Sequence, residues 1–351
     1  MPREAWLGAI IAAVFVLAVA VRGVWRIRGL YRIHRAGPRP LRAKRHRIWR
    51  DPGPAGQRDL VYGPGGRRRV PVPPFEFLEE HLTGSQPCVS VRDANGRRWR
   101  VKWGAEVFAE TFAVRFAHAC GYFAEITHFV KSGTIKCDAA LARAGDCITA
   151  ADGAFFDARF ELDDPDVNML FDEHSWAWND NPFLGTAELS GLKIVVMLLS
   201  NWDAKDRRDV ARGSNTAVFE YRVPRREHRL PRWPRTKREA RYLITDWGGA
   251  MGKWGSTIVT RGRWDADGFE AQTPQFVTGV SNGVVSFGYR GQHTADIAAD
   301  IPVPHARWFF AIVRGLTERQ LVDGLEASGA TADEAARFAR ALVARISQLD
   351  V

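Results

Sequence analysis

The chain opens on a hydrophobic stretch with no periodicity. Ala5–Val21 is 17 residues without a charge. Carried on to Trp25 past a snorkelling Arg22, it predicts about 30 Å of helix, enough to cross a bilayer. From Arg22 to Arg50 there are eleven basic residues and no acid. By the positive-inside rule this predicts a signal anchor over 1–25, single-pass in the cell (inner) membrane with the body in the cytoplasm, and a basic collar that attracts anionic lipid. A Gly- and Pro-rich run follows (DPGPAG, YGPGG, VPVPP), so 26–74 divides into a juxtamembrane collar and a linker of loop or polyproline type.

Beyond residue 74 the hydrophobic positions become periodic. Cys88–Arg92 and Arg98–Trp103 are short β-branched or aromatic runs joined by Asp93-Ala94-Asn95-Gly96, whose Asn-Gly predicts a tight hairpin turn. Helical spacing of Val107, Phe108, Phe112, Phe116 and Ala119 predicts a helix over 105–119. Glu106 and Glu110 share one face of it and Gly121 ends it. Tyr122–Val130 and Ala154–Leu162 are further predicted strands. The second half starts with a helical run, Thr186–Ser200, and a polar loop beginning NWDAKDRRD. Two strands, Ala217–Tyr221 and Tyr242–Thr245, flank a basic, Pro-containing insertion over Arg222–Arg241, and the second runs straight into Asp246-Trp247-Gly248-Gly249. Helices over 304–315, 318–328 and 332–349 close the chain, the last behind the capping box Thr331-x-x-Glu334. The pattern predicts an α+β body: a small sheet with one packed helix over 75–165, then a mainly helical 166–351.

Composition changes the picture in two ways. The net charge of +10 suggests a nucleic-acid partner, but residues 1–51 hold 12 basic residues and two acids, which leaves 38 basic and 38 acidic residues in the body. A neutral body predicts no duplex-binding face. Cys88, Cys120, Cys137 and Cys147 show no C-x-x-C spacing, which argues against zinc and predicts reduced thiols. A Cys137–Cys147 bridge is the alternative, and it would need an oxidising compartment.

Strand lysine, helix glutamate, polar loop, strand pair and Asp-x-Gly follow one another in an order that resembles the protein-kinase-like fold. The resemblance covers about 75–350 and lies closer to phosphoinositide kinases and HipA-type kinases than to ordinary protein kinases. It implies a bilobal fold, with the small sheet and helix as N-lobe (75–165) and the helical part as C-lobe (166–351), behind the transmembrane helix. It further implies ATP and Mg²⁺ as cofactors and phosphoryl transfer to an unidentified hydroxyl acceptor. Lys102 in VKWG matches the lysine that holds the phosphates, with Glu110, or alternatively Glu106, to orient it. Asp203 matches the catalytic aspartate and Lys205 the lysine of D-x-K, while Asn215 and Asp246 match the metal ligands. Phosphoryl transfer asks a protein chiefly for positioning and for neutralising charge on the phosphoryl oxygens, which this residue set can supply.

The sequence also departs from the family pattern. Asp203 and Asn215 are twelve residues apart, so 206–213 is expected to loop out, with Asp206 or Asp209 as substitute ligands. No G-x-G-x-x-G precedes Lys102, and Thr83-Gly84-Ser85 is the replacement for the phosphate-covering loop. His293 and Asp296 form a candidate substrate-binding pair. A membrane-bound pseudokinase, responding to nucleotide without transfer, is the competing function.

Overall fold

The computed structural model describes residues 41–164, 167–169, 174–224 and 236–351. Strands β1 (Arg45–Arg47), β2 (Phe75–His81), β3 (Cys88–Arg92), β4 (Arg98–Lys102), β5 (Thr127–Lys136), β6 (Ala154–Asp163), β7 (Val167–Met169), β8 (Thr216–Pro224) and β9 (Thr236–Ile244) build two sheets. The order β2-β3-β4-β6-β5 closes into a barrel, and β1-β9-β8-β7 is a four-stranded sheet. The small open sheet expected over the first half is thus a closed barrel. Its seam is a short parallel pairing, Phe75 with Ile135 and Glu76 with Lys136. Closure leaves no exposed edge strand.

Alternation along β4 sets the character of each face. Trp99 and Val101 are fully buried and pack with Phe75, Val89, Val91, Phe155 and Phe160 inside the barrel. Arg98, Arg100 and Lys102 therefore share the opposite face. Register places Arg100 across from Glu161 and Lys102 across from Arg159. Helix α1 (Val107–Ala119) packs against β5 and β6, and it is apolar nearly all round, as a helix buried on most sides must be. Eleven of its 13 residues are buried, Glu110 and Arg115 among them. Gly121 ends it at φ +96°, where a Cβ would lie 2.3 Å from the Arg50 carbonyl.

The remaining helices are α2 (Ala187–Leu198), α3 (Ala266–Gln272), α4 (Thr294–Ile297), α5 (Val303–Val313), α6 (Glu318–Glu326) and α7 (Ala332–Ser347), with a hairpin of β10 (Val277–Ser281) and β11 (Val284–Phe287) between α3 and α4. Thr186 caps α2 by accepting from the Leu189 N–H at 3.2 Å. The Thr331–Glu334 capping box starts α7. The four cysteines are free thiols, Cys88 and Cys120 buried and Cys137 and Cys147 half-buried.

Two expectations about the N-terminal part are corrected. Among the described residues no helix is long and apolar enough to cross a membrane. The most apolar one, α2, has 12 residues, about 18 Å at ~1.5 Å per residue, and is buried within the body. Residues 1–25, on which the transmembrane anchor and the single-pass inner-membrane localisation rested, lie outside the described residues, so the described fold is α+β with no membrane-spanning helix. The second correction concerns 42–74, which is neither a free collar nor a linker, because Arg42–Val351 forms one contact unit. β1 pairs parallel with β9, and Arg45 and Arg47 face Glu239 at 3.9 and 3.7 Å. The Trp49 indole donates to the Cys120 carbonyl at 2.9 Å, Leu60 is buried, and Arg58 donates to the Ile312 carbonyl at 2.7 Å. The Gly- and Pro-rich composition forms short 3₁₀ turns laid on that surface.

Candidate functional site

A cavity of about 270 Å³ lies where the outer face of β4 and β6, the start of α1 and the segment after β9 meet. Lys102, Glu110, Asp246, Gly84 and Ser85 all line it, with Thr83 beside the last two. Alternation in β4 turns Lys102 toward it, and the first turn of α1 supplies Glu110. Residues 83–85 are exposed in the turn between β2 and β3. Gly84 has φ +99°, and its carbonyl accepts from Arg143 at 2.9 Å.

The lysine and the helix glutamate share the cavity without pairing as expected. Glu110 is ion-paired with Arg159 of β6, fully buried below the cavity floor, and Glu106 with Arg263. Arg159 sits directly across the ladder from Lys102 and lies deeper, so it takes the carboxylate. Glu161 binds Arg159 at 2.9 Å and Arg100 at 3.6 Å.

This is a crowded set of charges in a weakly solvated place. Burial pushes the Glu110 carboxyl up to about 7, against the pull of Arg159 and Lys102 and with help from Asp246 and Glu161. Burial and Glu161 together push Glu125, another lining residue, well above the ordinary carboxylate range. Burial acts the same way on Glu161, but Arg159, Lys102 and Arg100 outweigh it and hold that carboxylate low. Burial, then like charge, raises a carboxyl and a near cation lowers it.

The loop after α2 runs beside the segment that carries Asp246. The Asn201 amide donates to the Asp246 carbonyl at 3.5 Å. Gly249 lies so close to the loop that a Cβ there would stand 2.9 Å from both Asn201 Oδ1 and Asp203 Cβ. At Gly248 a Cβ would meet Glu106 Cδ at 2.7 Å. The two glycines after Asp246-Trp247 are required by close approach, which lets the turn pass between α1 and the loop. Asp246 Oδ1 accepts from the Gly248 N–H at 2.8 Å. Asp203 and Lys205 do not line the cavity themselves; Asp203 lies against Gly249, in the turn that follows the lining residue Asp246. Lys205 Nζ is 3.2 Å from Asp203 Oδ2, and Gln292 donates to Asp203 Oδ1 at 2.9 Å. Asn215 is buried just behind the lining residues Ser214 and Thr245 and donates its amide N–H to the Asp203 carbonyl at 2.5 Å.

Residues 206–213 do not loop out. They form a 3₁₀ helix, Arg207–Arg212, boxed by Asp206 and Asp209. Asp206 accepts from the Trp178 and Arg208 N–H groups and from the Arg208 side chain. Asp209 accepts from His293 at 2.5 Å and is ion-paired with Arg212, and Asp296 binds Arg208 at 2.7 Å. Ligand atoms of Asp206, Asp209 and His293 lie within 4.8 Å of one another, but each is already engaged in bracing the loop. His293 and Asp296 engage different partners, His293 taking Asp209 and Asp296 taking Arg208, so their side chains do not pair with each other.

The sequence reading missed Arg100, Glu125, Arg159, Glu161, Asn201, Gln292 and Arg263. Arg100, Arg159 and Glu161 carried a signal, since each sits two residues from another charged group on a predicted strand and so on the same face. The others are joined only by tertiary packing. Comparison with family models, with curated proteins and with solved structures found no match.

Proposed function

We propose that the protein is an ATP-dependent phosphotransferase acting on a hydroxyl acceptor. The observation that carries this reading is the convergence of Lys102, Glu110 and Asp246 on one cavity, with Asp203 packed against Gly249 of the turn that carries Asp246 and Lys205 beside Asp203. The residues suit the cofactors. Asp246 and the side-chain oxygen of Asn215 are hard oxygen donors of the type Mg²⁺ takes, and Lys102 supplies a point charge for phosphate. Bound Mg²⁺ would offset the charge of the phosphate oxygens.

In the transfer, the bond between the γ-phosphorus and the β,γ-bridging oxygen breaks as a bond from the acceptor oxygen to that phosphorus forms. ADP keeps the electron pair, and the acceptor proton passes to the Asp203 carboxylate. Each oxygen of Asp203 retains a free lone pair beyond its contact with Gln292 or Lys205. Lys205 faces the same carboxylate and is placed to neutralise the phosphoryl group in flight.

A second reading, a nucleotide-responsive binding module without transfer, has its own support: Glu110 and Glu106 are held by Arg159 and Arg263, so neither orients Lys102. One experiment separates the two, calorimetry of Mg-ATP binding beside label transfer from ATP. Asp246→Ala is expected to weaken Mg-ATP binding. Asp203→Asn is expected to leave binding intact and cut transfer by about two orders of magnitude or more. Binding without turnover in the parent protein favours the binding module, and no nucleotide binding removes both readings.

A further inference from the structure

The cavity adjoins a second one of about 120 Å³, and the two share Arg100, Glu125 and Glu161. Away from Lys102 and Asp246, the smaller one is lined by Ile126 just before β5, Leu162 of β6, and Phe219 and Tyr221 of β8, with Asp163 and Asp164, which are ion-paired with Arg98 and Arg69. A nucleoside triphosphate has the same polarity, an anionic chain at one end and a flat, largely apolar base at the other. At the junction Glu161 is already committed to Arg159 and Arg100. Arg100 Nε is buried without a partner, and Glu125 makes no hydrogen bond or ion pair with any described residue. One carboxyl and one N–H are thus left open between a phosphate-suited end and a base-suited end.

We infer that Glu125 is the residue that reads the nucleobase, pairing side by side with an exocyclic amine and the adjacent ring nitrogen of adenine. This rests on the phosphotransferase reading. A neutral carboxyl offers one donor and one acceptor next to each other, the pattern by which a side-chain amide recognises adenine. An ionised carboxyl offers acceptors only and repels the ring nitrogen. Burial and Glu161, then Glu110, raise the Glu125 pKa against Arg159 and Lys102, which favours its protonated form. The charged and titratable groups around it are Arg100 and Lys102 on β4, Glu110 on α1, Arg159, Glu161 and Asp163 on β6, Asp164 just after β6 and Tyr221 on β8. Specificity for the base would then weaken as pH rises through the Glu125 titration.

The test uses the full chain with ATP, GTP and inorganic tripolyphosphate as probes, by calorimetry at pH 6 and pH 9. Glu125→Ala should weaken ATP about tenfold or more and leave tripolyphosphate unchanged, while Glu125→Gln, which keeps a donor and an acceptor, should hold ATP within about threefold. Any change in ATP affinity relative to tripolyphosphate between pH 6 and pH 9 should be a fall as pH rises in the parent, and Glu125→Gln should not share it. Parent-like ATP affinity in Glu125→Ala overturns the inference. If Glu125→Ala does not fold, a tenfold or greater loss of ATP affinity in Glu125→Gln, or a relative ATP affinity in the parent that rises with pH, overturns it instead. GTP binding tighter than ATP overturns the assignment to adenine. Failure of the parent to bind ATP, GTP or tripolyphosphate removes the phosphotransferase reading itself, a distinct outcome.

Discussion

Glu110 shows what a single residue costs and does at this site. Its carboxyl is buried against Arg159, and its pKa moves from 4.5 in a free chain to about 7. An acid whose folded value is raised binds its proton more tightly when folded. Stability is therefore greatest below pH 4.5, falls as pH rises toward 7 and is flat above. At about 1.4 kcal/mol per tenfold change in proton affinity, the loss is on the order of 3 kcal/mol. Glu110→Gln removes the titration, so its unfolding free energy measured against the parent should shift in the variant's favour by about that amount between pH 4.5 and pH 8. Urea unfolding at the two pH values checks it, and a constant difference would show that burial does not control this carboxyl. Lys102 was legible because it lies on a strand whose alternation can be read, and Asp246 because it follows one. Glu125 was not, since the strand expected from Tyr122 begins only at Thr127, which leaves Glu125 in an irregular stretch whose facing the strand period does not give.

At the scale of elements, Arg345 ties α7 to the start of the site loop. Its guanidinium is fully buried and donates to the Leu198 and Phe269 carbonyls at 2.9 and 2.8 Å and to Ser200 Oγ at 2.7 Å. It lies 3.6 Å from the Phe269 ring centroid, and its partners are carbonyls, hydroxyls and aromatic faces. Ser200, at φ +54°, precedes Asn201 and so fixes how the loop leaves α2. Arg345→Met should cost roughly 3–5 kcal/mol by orphaning several buried acceptors. Chemical denaturation measures this, and a loss under 1 kcal/mol would show that the loop is held elsewhere. The helical period of α7 was plain in the sequence. That an arginine on its buried side reaches α2 was not, because amphipathic pattern ranks arginine as a surface residue.

For the molecule as a whole, the segment 42–74 is part of the body. Trp49 packs edge-on against Trp308 with ring centroids 5.1 Å apart, and Gln320 donates to the Ala55 and Arg58 carbonyls at 2.9 and 3.1 Å. A chain starting at Arg42 should unfold cooperatively. One starting at Phe75, which uncovers the end of α1 and the surfaces of α5 and α6, should lose several kcal/mol, on the scale of two or three large buried side chains. Thermal unfolding of the two compares them directly, and equal midpoints would restore the linker reading of this segment.

The sequence by itself determined the elements that local physics controls. The Asn-Gly hairpin, the Thr331 capping box, the apolar α1 and α2, and the Asp-x-Gly-Gly turn each follow from spacing and backbone preference within a few residues. Tertiary structure alone decided the rest. Closure of the barrel depends on a two-residue parallel pairing between distant strands. The packing of 42–74 depends on surfaces contributed by the other end of the chain. Which cation Glu110 takes depends on β6 lying across the ladder from β4. Charge neutralisation in a weakly solvated cavity goes to the nearest group in space, and no sequence spacing encodes that distance.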